Sequence, residues 1–443
     1  MKANKLILMS ATLGLASVAA QAQSTDQLQQ ALAQAQAAAA QAQAAAKQAQ
    51  AALEQALAAA ERAKQSSVAA QPAPKAASTT GLTMASGGNS VTLYGLIDVT
   101  LVNKNNADKA GNSVTAPQVA WFSGNRWGIY GSHATSTDSD PLKAIFRLES
   151  EFESETGNMD TPGTLFNRDA WLGLESKALG KLTFGRQNAL ARDPAASAVY
   201  GDPYGSAKAS TEEGGYSNTN NFKQLVYYAG SSSGTRINNG VVWKKAFDGG
   251  IVAGAAYSFG TVPGSADTGS SKTVSLAYNG DGFTVAGFAT DANIGNLNHQ
   301  SYSVGGNVQI GPMVRLNAGY FNYTAQQAAG IGDRKDTAWT VSTKLTPGGP
   351  IDYQLGYQVM TAKNAGVNGS GYVQNAFSDT TAVKAVGSGD RATFYGSVFY
   401  HLDSVTEFYV AFDHLNTTDT YLAAQANGSK SADELGIGMR YKF

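Results

Sequence analysis

The chain has 443 residues, of which 49 are Gly and none Cys; 43% are apolar and only 15% charged. Zero Cys excludes a disulfide framework and any zinc or iron–sulfur centre held by thiolates. Lys+Arg 32 against Asp+Glu 33 gives a net charge of −1, with no electrostatic footprint for nucleic acid.

The first 22 residues read as an address. Lys2 and Lys5 give a positive start, Leu6 to Ala20 an apolar run, and Ala20-Gln21-Ala22 a cleavage site, so a secretory signal peptide is expected over 1–22. Residues 23–65 are almost all Ala and Gln, with no Gly or Pro to interrupt a helix. Leu32 and Leu53 share a heptad position and Leu28 falls on the complementary one, which predicts a helical coiled coil about 60 Å long at about 1.5 Å per residue. An Ala seam buries little area, so such a coil needs support from another trimerising element. Residues 66–89 read as a flexible linker, with Pro72 and Pro74 stopping the helix.

From Ser90 the texture changes to period 2. Val91, Leu93, Gly95, Ile97, Val99 and Leu101 share one face, and Thr92, Tyr94, Asp98 and Thr100 the other. At the far end Leu435, Ile437, Met439, Tyr441 and Phe443 alternate with Glu434, Gly436, Gly438, Arg440 and Lys442. Charges on every second position cannot face a dry core, but they can face a water-filled lumen while their neighbours face lipid. Sixteen strand candidates result: 90–104, 119–132, 142–153, 166–176, 180–187, 235–246, 249–259, 271–279, 282–290, 300–310, 312–324, 336–346, 350–363, 391–402, 404–416 and 433–443.

The connections sharpen this reading. Even-numbered candidates are followed by short turns such as Asn279-Gly280-Asp281-Gly282 and Gly311-Pro312, except that the turn after the second (His133 to Asp140) is longer. Odd-numbered ones are followed by polar loops at about 105–118, 154–165, 188–234, 260–270, 291–299, 325–335, 364–390 and 417–432. Short turns on one rim and long loops on the other are the pattern of an outer-membrane barrel, with the short rim and both chain ends in the periplasm. The expected fold is therefore all-β: a 16-stranded antiparallel transmembrane β-barrel over 90–443, preceded by a periplasmic coil. A closed barrel also pairs every backbone group within hydrocarbon. Parity points Arg126 and Tyr130 inward, because Trp127 and Ile129 face out; it also points Arg147, Glu149 and Glu151 inward.

The ordered set Ser90-Val91-Thr92-Leu93-Tyr94-Gly95-Leu96-Ile97-Asp98, Gly124-Asn125-Arg126-Trp127-Gly128, Lys143-Ala144-Ile145-Phe146-Arg147-Leu148-Glu149, Phe166-Asn167-Arg168-Asp169-Ala170-Trp171, Lys181-Leu182-Thr183-Phe184-Gly185-Arg186-Gln187 and Tyr441-Lys442-Phe443 resembles the general porins of Gram-negative bacteria. The likeness is greatest to the trimeric 16-stranded porins of β-proteobacteria and covers 90–443. It implies a homotrimer in outer-membrane lipid that passes ions and small hydrophilic or anionic solutes, with no cofactor, metal or catalytic centre. It also implies that the third loop, about 188–234, folds into the lumen and carries Asp193, Asp202, Glu212 and Glu213 towards a wall bearing Arg126, Arg168 and Arg236, with Arg147 a further candidate. Tyr130 stands where the family usually has another Arg. Loop acids opposite wall arginines would make a transverse field and a mild anion preference. The alternative reading is a tethering role, in which the coil holds trimers together or reaches peptidoglycan. An enzyme is not expected, since none of the 4 His lies in an obvious Ser/Asp constellation.

Overall fold

The structure is a computed structural model, describing residues 81–192, 235–368, 371–373, 383, 385–421 and 428–443. The expected signal peptide, the expected coil over 23–65 and the loop acids Asp193, Asp202, Glu212 and Glu213 lie outside the described residues.

Eighteen strands are described: β1 (Leu82–Ser86), β2 (Asn89–Lys104), β3 (Val114–Val119), β4 (Arg126–Ala134), β5 (Lys143–Glu151), β6 (Asp169–Ser176), β7 (Gly180–Asn188), β8 (Arg236–Ala246), β9 (Ile251–Ser258), β10 (Ser271–Asn279), β11 (Phe283–Ile294), β12 (Leu297–Ile310), β13 (Val314–Ala325), β14 (Arg334–Leu345), β15 (Ile351–Gly366), β16 (Val386–His401), β17 (Thr406–Thr417) and β18 (Ser431–Lys442). β2 and β4 to β18 pair antiparallel with their chain neighbours, and β18 returns to β2, so sixteen strands close a barrel with no free edge.

Alternation sorts the two faces. Outward apolar side chains remain bare, with Leu172 64%, Leu276 60% and Val274 58% exposed. A face of this kind needs hydrocarbon beside it. Inward positions are polar or small, including Thr92, Asp98, Thr100, Glu149, Thr273, Asn317, Gln358 and Asp413, all buried inside the barrel.

β2 is the pivot, because each of its edges is served by two segments. On one side β18 pairs with Leu96 to Lys104, Phe443 exchanges both backbone hydrogen bonds with Gly95, and β1 then takes Asn89 to Leu93. On the other side β3 pairs with Val99 to Lys104 and β4 with Asn89 to Leu96.

Three expectations change. Residues 82–86, read as linker, form β1, because Gly87 and Gly88 both have positive φ (56° and 81°) and close a tight hairpin. The expected loop 105–118 ends in a strand, β3, and the strand expected from 119 starts only at Arg126, because Ala120 turns left-handed (φ 47°) and the chain leaves the wall in between. The expected loop 291–299 is a two-residue turn, since Gly295 and Asn296 (φ 60° and 68°) let β11 and β12 run on to meet it.

Candidate constriction site

β4 to β8 place a dense charged network on one inner wall. Arg147 on β5 is buried and reaches Asp169 of β6, Nη1 to Oδ2, at 3.8 Å. Its guanidinium lies 5.5 Å from the ring centroids of both Tyr94 and Tyr130, a doubled cation–π contact. The two rings are themselves 5.4 Å apart. Tyr94 Oη donates to Glu149 Oε2 at 2.6 Å.

Arg168 sits one residue before β6. Its guanidinium pairs with both Glu149 and Glu151 on the neighbouring strand, bracing two carboxylates with one cation. The backbone repeats the tie: Arg168 N–H donates to Glu149 O at 3.2 Å, and Glu151 N–H to Asn167 Oδ1 at 2.8 Å. A network this buried holds together only because each carboxylate has a cation or hydroxyl against it.

Arg126 and Arg236 are half-buried and less enclosed. Arg126 Nε donates to Gly124 O at 2.8 Å, and Arg236 Nη1 to Thr235 Oγ1 at 2.9 Å. Both lie in the field of Glu151.

The described start of the third loop hugs the inner wall. Ala189 N–H donates to Thr235 O at 2.9 Å, and Leu190 packs where a Cβ on Gly254 of β9 would stand. Ala191 belongs to one apolar cluster with Phe288, Phe321 and Met360 of β11, β13 and β15. The chain therefore enters the lumen as it leaves β7, and Arg192 follows with Nη1 on Asn188 Oδ1 at 2.6 Å.

The structure thus brings Arg126, Tyr130, Arg147, Arg168 and Arg236 to one wall. Tyr94, Asp169 and Arg192 join them, three residues not singled out from the sequence. The inward parity of Tyr94 and Asp169 was available there; Arg192 carried no signal, being in a loop. Two of the histidines are also engaged: His299 is fully buried against Tyr323 Oη at 2.8 Å, and His401 lies between Asp352 at 3.1 Å and Glu407 at 3.2 Å. Among the described residues no group of three or more His, Asp or Glu is arranged to hold a metal ion.

A family model described as Gram-negative porin matches residues 31–420. An outer membrane porin protein of Bordetella pertussis is 35% identical over 161 residues, which is 32% of this chain and 40% of that protein's length. Among solved structures, an anion-selective porin from Comamonas acidovorans superposes with a TM-score of 0.61 at 20% identity, over 80% of this chain and 100% of that one. A trimer form of OmpT from Vibrio cholerae gives 0.55 at 15% identity, over 81% and 100%. The outer membrane channel DcaP of Acinetobacter baumannii gives 0.54 at 10% identity, over 82% and 100%.

Proposed function

The chain belongs to the Gram-negative porin family, a family of the bacterial outer membrane, and from that premise we propose that it is a passive diffusion channel for ions and small hydrophilic solutes. The observation that carries this is the closed sixteen-stranded sheet with bare apolar side chains outside and a braced Arg/Glu wall inside. Family and fold favour a channel over an enzyme.

The eyelet is assigned to Arg126, Arg147, Arg168, Arg236 and Tyr130 on the wall, facing Asp193, Asp202, Glu212 and Glu213 of the third loop. Arg126, Arg147, Arg168, Arg192 and Arg236 stand against only Glu149, Glu151 and Asp169 on the described wall, which supports a mild preference for anions. A homotrimer is the proposed assembly, in keeping with the trimer form of one structural relative. The coil over 23–65 is proposed to stabilise that trimer or to reach peptidoglycan in the periplasm.

Purified protein in a planar bilayer should insert in steps that close in thirds. In a salt gradient the reversal potential should take the sign of an anion-preferring pore. Membranes that stay silent at protein concentrations where a known porin conducts would rule the channel out.

A further inference from the structure

The six residues Ala120–Asn125 interrupt a transmembrane strand. Val119 pairs with Val99 and Arg126 with Leu96, so six residues stand opposite only Ile97 and Asp98. A bulge of ordinary kind adds one residue; this excursion adds four. It goes inward. Trp121 is 1% exposed and lies in one cluster with Val102, Phe399, Tyr409 and Ala411 on the inner faces of β2, β16 and β17. Phe122 packs against Phe399 with ring centroids 4.7 Å apart and tilted by 51°, and meets Tyr409 edge to face at 4.8 Å.

The excursion is pinned along its length. The Asp98 carboxylate accepts Phe122 N–H at 3.1 Å, Ser123 N–H at 2.9 Å and the Tyr409 hydroxyl. Thr100 Oγ1 accepts Trp121 N–H at 3.2 Å, and Asn125 Oδ1 accepts Asp98 N–H at 2.5 Å. Arg440 donates to Ser123 Oγ at 3.2 Å and lies over Phe122 and Phe399 at 5.7 and 5.9 Å. β18 makes room: a Cβ on Gly436 would meet the Trp121 ring at 2.6 Å. The far end reaches the charged wall, for Gly124 O holds Arg126, and a Cβ on Gly124 would fall 1.8 Å from a Glu151 oxygen.

We propose that Ala120–Asn125 is a fixed aromatic ledge forming a second lip of the pore, which narrows the bore independently of the third loop and positions Arg126. The proposal rests on the channel reading above. A mobile lip would not need a buried carboxylate collecting two N–H groups and a hydroxyl; a permanent one does.

The register supplies the test. Deleting Phe122–Asn125 leaves Ala120 opposite Asp98 and Trp121 opposite Ile97, an unbroken strand with Trp121 turned to the lipid face. Single-channel conductance should rise, and the liposome-swelling cut-off should move to larger sugars. A second variant keeps the fold intact. The chain has no Cys, so Ser123→Cys introduces a single thiol, and a bulky membrane-impermeant thiosulfonate added to open channels should cut their current stepwise. If wild type conducts and the reagent, shown by mass to have reacted, leaves the Ser123→Cys current unchanged, the ledge is not in the permeation path. Failure of the thiol to react while channels are open overturns it equally. A deletion variant that conducts and swells like wild type does the same, with the channel reading intact. A silent wild type defeats the channel reading itself.

Discussion

At the scale of single residues, inward cations divide by what surrounds them. Arg168 is buried and braces Glu149 and Glu151, so its first duty is to let two carboxylates exist inside the wall. Arg168→Ala should cost about 3–5 kcal/mol, the penalty of leaving paired buried charges uncompensated. The check is a lower heat-dissociation temperature and a poorer yield of folded barrel. Arg126 is half-buried and rests on a backbone carbonyl. Arg126→Ala should leave the folded barrel almost as stable and move the reversal potential towards cations. An unchanged potential would remove Arg126 from the eyelet. Parity made Arg126 legible as inward-facing, because Trp127 and Ile129 had to face out, whereas Arg168 was marked only by the resemblance of its motif. Which of the two is a brace could not be read, since that depends on Glu149 and Glu151 arriving from the adjacent strand.

At the scale of elements, alternation located all sixteen closing strands, most of their ends within a few residues. It worked because each strand has one face in lipid and one in the lumen. The failures are local and have backbone causes. Ala120, Gly295 and Asn296 adopt positive φ, and nothing in the hydropathy pattern marks where a chain leaves or rejoins a wall. The ledge was invisible for the further reason that Trp121 and Phe122 look like membrane-facing residues until their packing inside is seen. Turns carry a testable acid response. Asp140 accepts the N–H groups of Lys177 and Ala178 at 2.7 and 2.9 Å, fastening the β4–β5 connection to the short β6–β7 turn. Those bonds hold its carboxyl below the usual range. A depressed carboxylate contributes its stability above its unfolded value of about 3.9 and loses it as the pH falls through the lowered folded value. Lys177 and Ala178 amides should therefore lose hydrogen-exchange protection only in that acid window. Asp140→Asn should weaken the protection already at neutral pH; equal protection in the variant would show that the carboxylate is not the tie.

At the scale of the whole molecule, the composition acquires causes. The net charge of −1 conceals a wall where Arg outnumbers acid. The many Gly serve tight turns and inner-face clearances such as the one Trp121 needs at Gly436. The barrel was readable because closure follows from counting strands and rims. The pore's bore was not, because it is set by what folds inside. The seam has a last consequence. β18 and β1 lie on one edge of β2 and run the same way: Phe443 stands opposite Gly95, Leu82 opposite Leu93, and only the place opposite Tyr94 separates them. Gly81 is the one residue that place requires. A rearranged gene joining Phe443 directly to Gly81, with new ends opened at Gly311-Pro312, should thus encode the same barrel without a spacer, read out as folded-form mobility in unheated gels. Loss of the folded form, with the same new ends tolerated when a longer spacer is used, would show that the seam is not collinear.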